Sequence, residues 1–157
     1  MTREQKFMME AIALSRKAIA DNEGGPFGCV IVKDNIIIGR GNNKVINNND
    51  PTAHAEIVAI RDACKNLGSF QLSECEIYTS CEPCPMCLGA IYWARPKRVY
   101  YANTRQDAAV IGFDDSMIYG EMRVSLPDRK IPMENISRTD AIKVFETWFN
   151  KNDKSLY

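Results

Sequence analysis

The sequence predicts an α/β domain built in layers, and three observations carry that expectation. Short apolar runs that read as strands, at residues 27–33, 36–41, 75–79 and 98–102, alternate with segments whose apolar residues recur at helical spacing. The first two runs are almost continuously apolar, as expected of a sheet covered on both faces. The order strand, helix, strand over residues 75–102 implies a parallel pair joined by a right-handed crossover. At 157 residues the chain reads as one domain, 1–157, able to bury roughly two-thirds of its unfolded surface without staples.

Taken in order, Phe7, Ala11, Leu14 and Ala18 mark one face of a helix over residues 3–22, a stripe that core packing alone accounts for. Gly24-Gly25-Pro26 stops it. Asp34-Asn35 joins the first two strands as a hairpin. Asp50-Pro51 reads as the N-cap and first residue of a second helix, which carries His54 and Glu56 in its first turn, buries Ile57, Ile60 and Cys64, and ends at Gly68. The strand at 75–79 feeds a helix beginning at Pro83 and stopping at Arg95-Pro96. After the strand at 98–102 the patterns fade. Residues 107–119 read as a short helix or loop, 130–136 as a last strand, and 139–150 as a helix with Ile142, Phe145, Trp148 and Phe149 on its apolar side.

Chemistry concentrates in His54-Ala55-Glu56 and Cys84-Pro85-Met86-Cys87. Zinc binds neutral imidazole and thiolate tetrahedrally, and a catalytic site supplies three protein ligands and leaves the fourth position to water. His54, Cys84 and Cys87 make three, and His54 is the only histidine in the chain. Two cysteines three residues apart at a helix start point their sulfurs the same way, and the helix N-terminus favours thiolate. Glu56, two residues after His54, is a carboxylate able to exchange protons with water at that position. A Cys-x-x-Cys alone could equally be a redox pair or half of a structural site; the accompanying His-x-Glu argues for hydrolysis.

Composition removes several classes. Twenty basic residues balance twenty acidic ones, so the chain lacks the net positive field of a protein that grips a polyanion. The tail from Phe145 to Tyr157 is likewise balanced, with Lys151 and Lys154 against Glu146 and Asp153, and nucleic acid is not the expected partner. No apolar run approaches the ~20 residues of a membrane helix, so no membrane partner is expected. Six cysteines without a signal peptide point to a reducing cytoplasm rather than a disulfide framework. Cys29, Cys64 and Cys75 read as core residues, and Cys81 as packed beside the metal ligands.

His54-Ala55-Glu56 with Pro83-Cys84-Pro85-Met86-Cys87 resembles the cytidine-deaminase-like superfamily of zinc deaminases. Glu82-Pro83-Cys84-Pro85-Met86-Cys87 narrows the resemblance to the branch holding guanine, cytosine and tRNA adenosine deaminases. Gly24-Gly25-Pro26-Phe27-Gly28, residues 49–56, residues 90–96 and Gly112-Phe113-Asp114-Asp115-Ser116 are together similar to the small bacterial guanine deaminases, over nearly the whole chain.

The resemblance implies a three-layer α/β/α cytidine-deaminase-like fold whose central mixed sheet has about five strands. It further implies Zn2+ on His54, Cys84 and Cys87, proton transfer by Glu56, a purine base held by Asn43, Asp115 and Tyr157, and a pocket lined by Phe27 and Trp93. The implied reaction is hydrolysis of guanine to xanthine and ammonia. The implied assembly is a homodimer with exchanged C-terminal segments, Tyr157 closing the partner's pocket. Those residue types suit guanine, whose N–H donors and carbonyl call for an acceptor such as Asp115 and an amide such as Asn43 between aromatic walls. Plainer roles stay open: Asn43 as a strand-end cap and Asp115 as part of a solvated turn. The competing functions are tRNA adenosine or cytosine deamination and, from another class, a zinc-stabilised interaction protein in which Cys81 closes the coordination.

Overall fold

The computed structural model describes residues 1–157. Thr2 caps the first helix, α1 (Arg3–Ala20), and exchanges hydrogen bonds with Gln5 in a capping box that satisfies two of the helix's orphan donors. Next comes a hairpin of β1 (Gly28–Lys33) and β2 (Ile36–Asn42). Its loop, Asp34-Asn35, has positive φ at both residues, as a two-residue hairpin turn requires. The following elements are α2 (Val45–Asn48), α3 (Ala55–Leu67), β3 (Glu76–Cys81), α4 (Pro85–Ala94), β4 (Arg98–Asn103) and α5 (Arg105–Val110). Together residues Met1–Asp115 form one unit.

The sheet runs β2-β1-β3-β4, with β1 antiparallel to both neighbours and β3 parallel to β4 across the crossover helix α4. Alternation along the strands feeds two cores, because successive side chains point to opposite faces. Cys29, Ile31 and Ile77 pack with Ala55, Ala59 and Ala63 of α3 and Ile91 and Ala94 of α4. Val30, Val32 and Tyr78 pack on the other face with Ala11, Phe7 and Leu14 of α1. The sheet is therefore covered on both sides, the three-layer arrangement expected.

Small residues let α3 lie unusually close to β2. A Cβ on Gly41 would sit 2.1 Å from the Ala55 carbonyl oxygen and 2.5 Å from the Ala59 nitrogen, and one on Gly39 would sit 2.6 Å from the Ala59 oxygen. The helix end that carries His54 and Glu56 is thus seated directly on a strand with no side chain between.

Three expectations need correction. The second long helix begins at Ala55, not Pro51, and His54 is its N-cap. Asp50 instead spends its carboxylate on the backbone and hydroxyl of Thr52, 2.8 and 2.7 Å away, closing a local turn that competes with helix initiation. The cysteine helix starts at Pro85, with Cys84 as its N-cap and Pro83 outside it. Residues 130–136 form no strand; Pro132 in their middle has no N–H to give to a ladder. The sheet has four strands, within the expectation of about five.

The second unit, Ser116–Tyr157, contains α6 (Ser116–Glu121), a 3-10 turn (Leu126–Asp128) and α7 (Arg138–Phe149). None of its residues is buried, including Phe145, Trp148 and Phe149 of α7.

Candidate metal and proton-transfer site

Two helix starts meet at the sheet. β3 delivers the chain into Cys84 and α4, and α3 begins at His54. The Nδ1 atom of His54 lies 3.5 Å from the sulfur of Cys84 and 3.5 Å from that of Cys87, and the three ligand atoms all fall within 4.8 Å of one another. A tetrahedral ion about 2.3 Å from sulfur and about 2.0–2.1 Å from nitrogen sets its nitrogen and sulfur ligands about 3.5 Å apart. The donor set and its spacing therefore fit zinc, with His54 binding through Nδ1. Cys81 is not part of this group. It is buried, its thiol is pushed up to about 11 chiefly by that burial, and it donates to the Thr104 carbonyl at 3.6 Å.

Hydrogen bonding from Cys87, assisted by His54 against the cost of burial, lowers Cys84 to about 4, while the same bond and burial raise Cys87. The Cys84 partner raises His54 as well. A lowered Cys84 thiol suits a metal ligand, since zinc binds thiolate.

Glu56 lies beside this group, 6% exposed. Burial raises its carboxyl, opposed by its own backbone N–H and by hydrogen bonds from Thr79 and Cys87. The hydroxyl of Thr79, a buried residue of β3, donates to Oε1 of Glu56 at 3.0 Å. The carboxylate is thereby tied to the central sheet. Sequence reasoning missed Thr79, since an interior strand threonine has no local signature.

The remaining candidates from the first unit are placed as follows. Asn43 is buried, its backbone N–H donates to the Phe27 carbonyl at 3.0 Å, and its Oδ1 accepts from the Val45 N–H at 3.2 Å. Phe27 is half-buried and meets Phe113 edge-on, ring centroids 5.0 Å apart. A Cβ on Gly25 would collide with both rings, at 2.8 Å from Phe113 and 3.0 Å from Phe27. Phe113 was visible in sequence only as part of the Gly112–Ser116 motif. Asp115 is partly buried, and its carboxyl is raised first by burial and then by the negative charge of Cys84. Trp93 lies on α4 and is 64% exposed. Tyr157 is the last residue of the second unit, Ser116–Tyr157.

Comparison with known proteins extends this picture. The family described as the cytidine and deoxycytidylate deaminase zinc-binding region matches residues 1–103. A guanine deaminase of Bacillus subtilis is 52% identical over 98% of both chains. A crystal structure of guanine deaminase from Bacillus subtilis, also 52% identical and covering 98% of each chain, superposes with a TM-score of 0.95. A guanine deaminase structure from Nitrosomonas europaea is 31% identical, covers 82% of this chain and 66% of that one, and gives a TM-score of 0.66. A tRNA-specific adenosine deaminase of Haemophilus influenzae is 42% identical over 71% of this chain and 68% of its own.

Proposed function

This chain belongs to the cytidine and deoxycytidylate deaminase zinc-binding family, and from that premise we propose that it hydrolyses guanine to xanthine and ammonia with zinc as cofactor. The observation that carries the reading is similarity to a guanine deaminase from end to end, 98% of both chains, around a three-ligand site with an acid at its side. The Haemophilus influenzae relative is 42% identical over 71% of this chain, against 52% over 98% for the guanine deaminase, and the balanced charge gives no net positive field for an RNA backbone.

His54, Cys84 and Cys87 would hold the ion. Bound there, zinc lowers the pKa of a water so that it can act as nucleophile near neutral pH. Glu56 would take a proton from the attacking water and pass protons to N3 of the base and to the leaving amino group. The bond formed is from the water oxygen to C2, the bond broken is from C2 to the amino nitrogen, and ammonia leaves. A carboxyl whose pKa is raised by burial is suited to both halves of that exchange. Three ligands with Cys81 engaged elsewhere leave room for the water, which supports chemistry over a purely structural ion.

Asn43, Asp115 and Tyr157 are our candidates to bind the base, with Phe27 and Trp93 as its aromatic walls. We further propose one functional domain over 1–157, acting in a reducing cytoplasm as a homodimer with exchanged C-terminal segments. Six unpaired cysteines support the compartment. No helix is long and apolar enough to cross a membrane. The dimer is supported by the unburied aromatic residues of α7, an apolar surface that calls for a cover. Ammonia release measured with guanine, cytosine, cytidine, adenosine and an RNA hairpin tests the activity. Guanine alone should react well, and preference for the hairpin would overturn the assignment.

A further inference from the structure

Gly24 lies against Asn43 so closely that a Cβ on it would stand 2.0 Å from the Asn43 Oδ1. That oxygen already accepts from the Val45 N–H, so the side-chain amide cannot turn over without losing a hydrogen bond. The group Asn43 offers outward is consequently its Nδ2 donor, which suits the adjacent carbonyl and ring-nitrogen acceptors of an oxopurine. The residues on either side of Asn43 share one partner. The Glu23 carboxylate accepts from Nδ2 of Asn42 through one oxygen and stands 3.6 Å from Nζ of Lys44 through the other. The Glu23 side chain is only 16% exposed, and its backbone is tied at both ends, its N–H donating to the Ala18 carbonyl at 2.9 Å and its carbonyl accepting from Asn47 at 3.1 Å. It is a fixed post at the end of α1, not a loose surface ion.

We propose that Glu23 is a positioning residue for the substrate pocket, holding Asn42 and Lys44 so that the Asn43 amide between them keeps its donor aimed at the base. The role rests on the guanine reading for the identity of the base. It does not depend on that reading for the mechanical link between Glu23 and Asn43.

The test is a double-mutant cycle with guanine, using zinc-loaded Glu23→Ala, Asn43→Ala and the double variant, with Glu23→Gln as the conservative change. Glu23→Ala should raise KM about tenfold, the size of one lost hydrogen bond, with kcat and zinc content little changed. Asn43→Ala should raise KM at least as much, and adding Glu23→Ala to it should change KM by less than about twofold, because the first change has removed what the second acts through. Glu23→Gln keeps an acceptor for Asn42 and should recover most of the lost factor. Full additivity of the two substitutions, or an unchanged KM in folded Glu23→Ala, overturns the proposal. Should the native protein leave guanine untouched, the substrate reading fails, and the link is then decided by the NMR signal of the Asn43 side-chain amide. That signal should shift or broaden in Glu23→Ala but not in Glu23→Gln; identical spectra in all three proteins refute the link.

Discussion

Gly41→Ala tests whether the seating of α3 on β2 sets the geometry of the site. The added Cβ would lie 2.1 Å from the Ala55 carbonyl oxygen and 2.5 Å from the Ala59 nitrogen, both backbone atoms that cannot rotate away. Restoring even the 3.0 Å that real Cβ atoms respect requires the start of α3 to lift by about 1 Å. His54 and Glu56 flank Ala55, so that movement is delivered to a metal ligand and to the proton carrier. Overpacking of this kind costs about 1–3 kcal/mol, which at about 2–4 °C per kcal/mol for a chain of this size is a fall in Tm of about 2–12 °C. Misplacement of a reacting group by about 1 Å costs on the order of 100-fold in rate. Gly39→Ala is the internal control. Its Cβ would strike the Ala59 oxygen at 2.6 Å and the Ala63 Cβ at 2.7 Å, more than a helical turn further from His54. Guanine turnover per bound zinc, with melting temperatures, should show similar destabilisation for both variants but a loss of kcat concentrated in Gly41→Ala. Equal losses of kcat, or normal kcat in destabilised Gly41→Ala, would refute the reasoning.

Four further outcomes are expected. Glu56→Gln should keep fold and zinc but lose about 10² to 10⁴ in kcat or more, since an amide cannot carry the proton; near-native turnover would remove Glu56 from the mechanism. Metal analysis should find one zinc per chain, lost on joint replacement of His54, Cys84 and Cys87 by Ala, and a chelated protein should regain activity with added zinc; stoichiometric zinc in the triple variant would place the ion elsewhere. Asp115→Asn should cut guanine turnover more than stability, a donor on the base left unpaired costing about 1–3 kcal/mol, whereas a large drop in Tm with normal activity of the folded fraction would make Asp115 structural. Deleting residues 155–157 should abolish turnover, and mixing that chain with full-length Glu56→Gln should restore it through a mixed dimer; exchange of subunits without recovery would rule out a lid supplied in trans.

Features governed by near neighbours were legible in the sequence. The hairpin at Asp34-Asn35, the stop at Gly68 with its left-handed φ of 62°, and the parallel crossover through α4 all follow from local conformational preference and chain length. The ligand set was legible for a related reason: two cysteines three apart and one histidine are the residues whose chemistry zinc requires, whatever encloses them. The start of α3 was not, because Asp50 could cap a helix or close a turn on Thr52, and only the assembled chain selects the turn. The grip of Thr79 on Glu56 spans 23 residues, and that of Glu23 on Asn42 spans 19. No pattern of spacing announces such contacts, since they exist only once the sheet order β2-β1-β3-β4 has brought separate strands and loops together. The sequence by itself determined which atoms could hold the ion and move the proton. The tertiary structure decided that Thr79 grips Glu56 and that Glu23 grips Asn42, because those contacts depend on packing between segments distant along the chain.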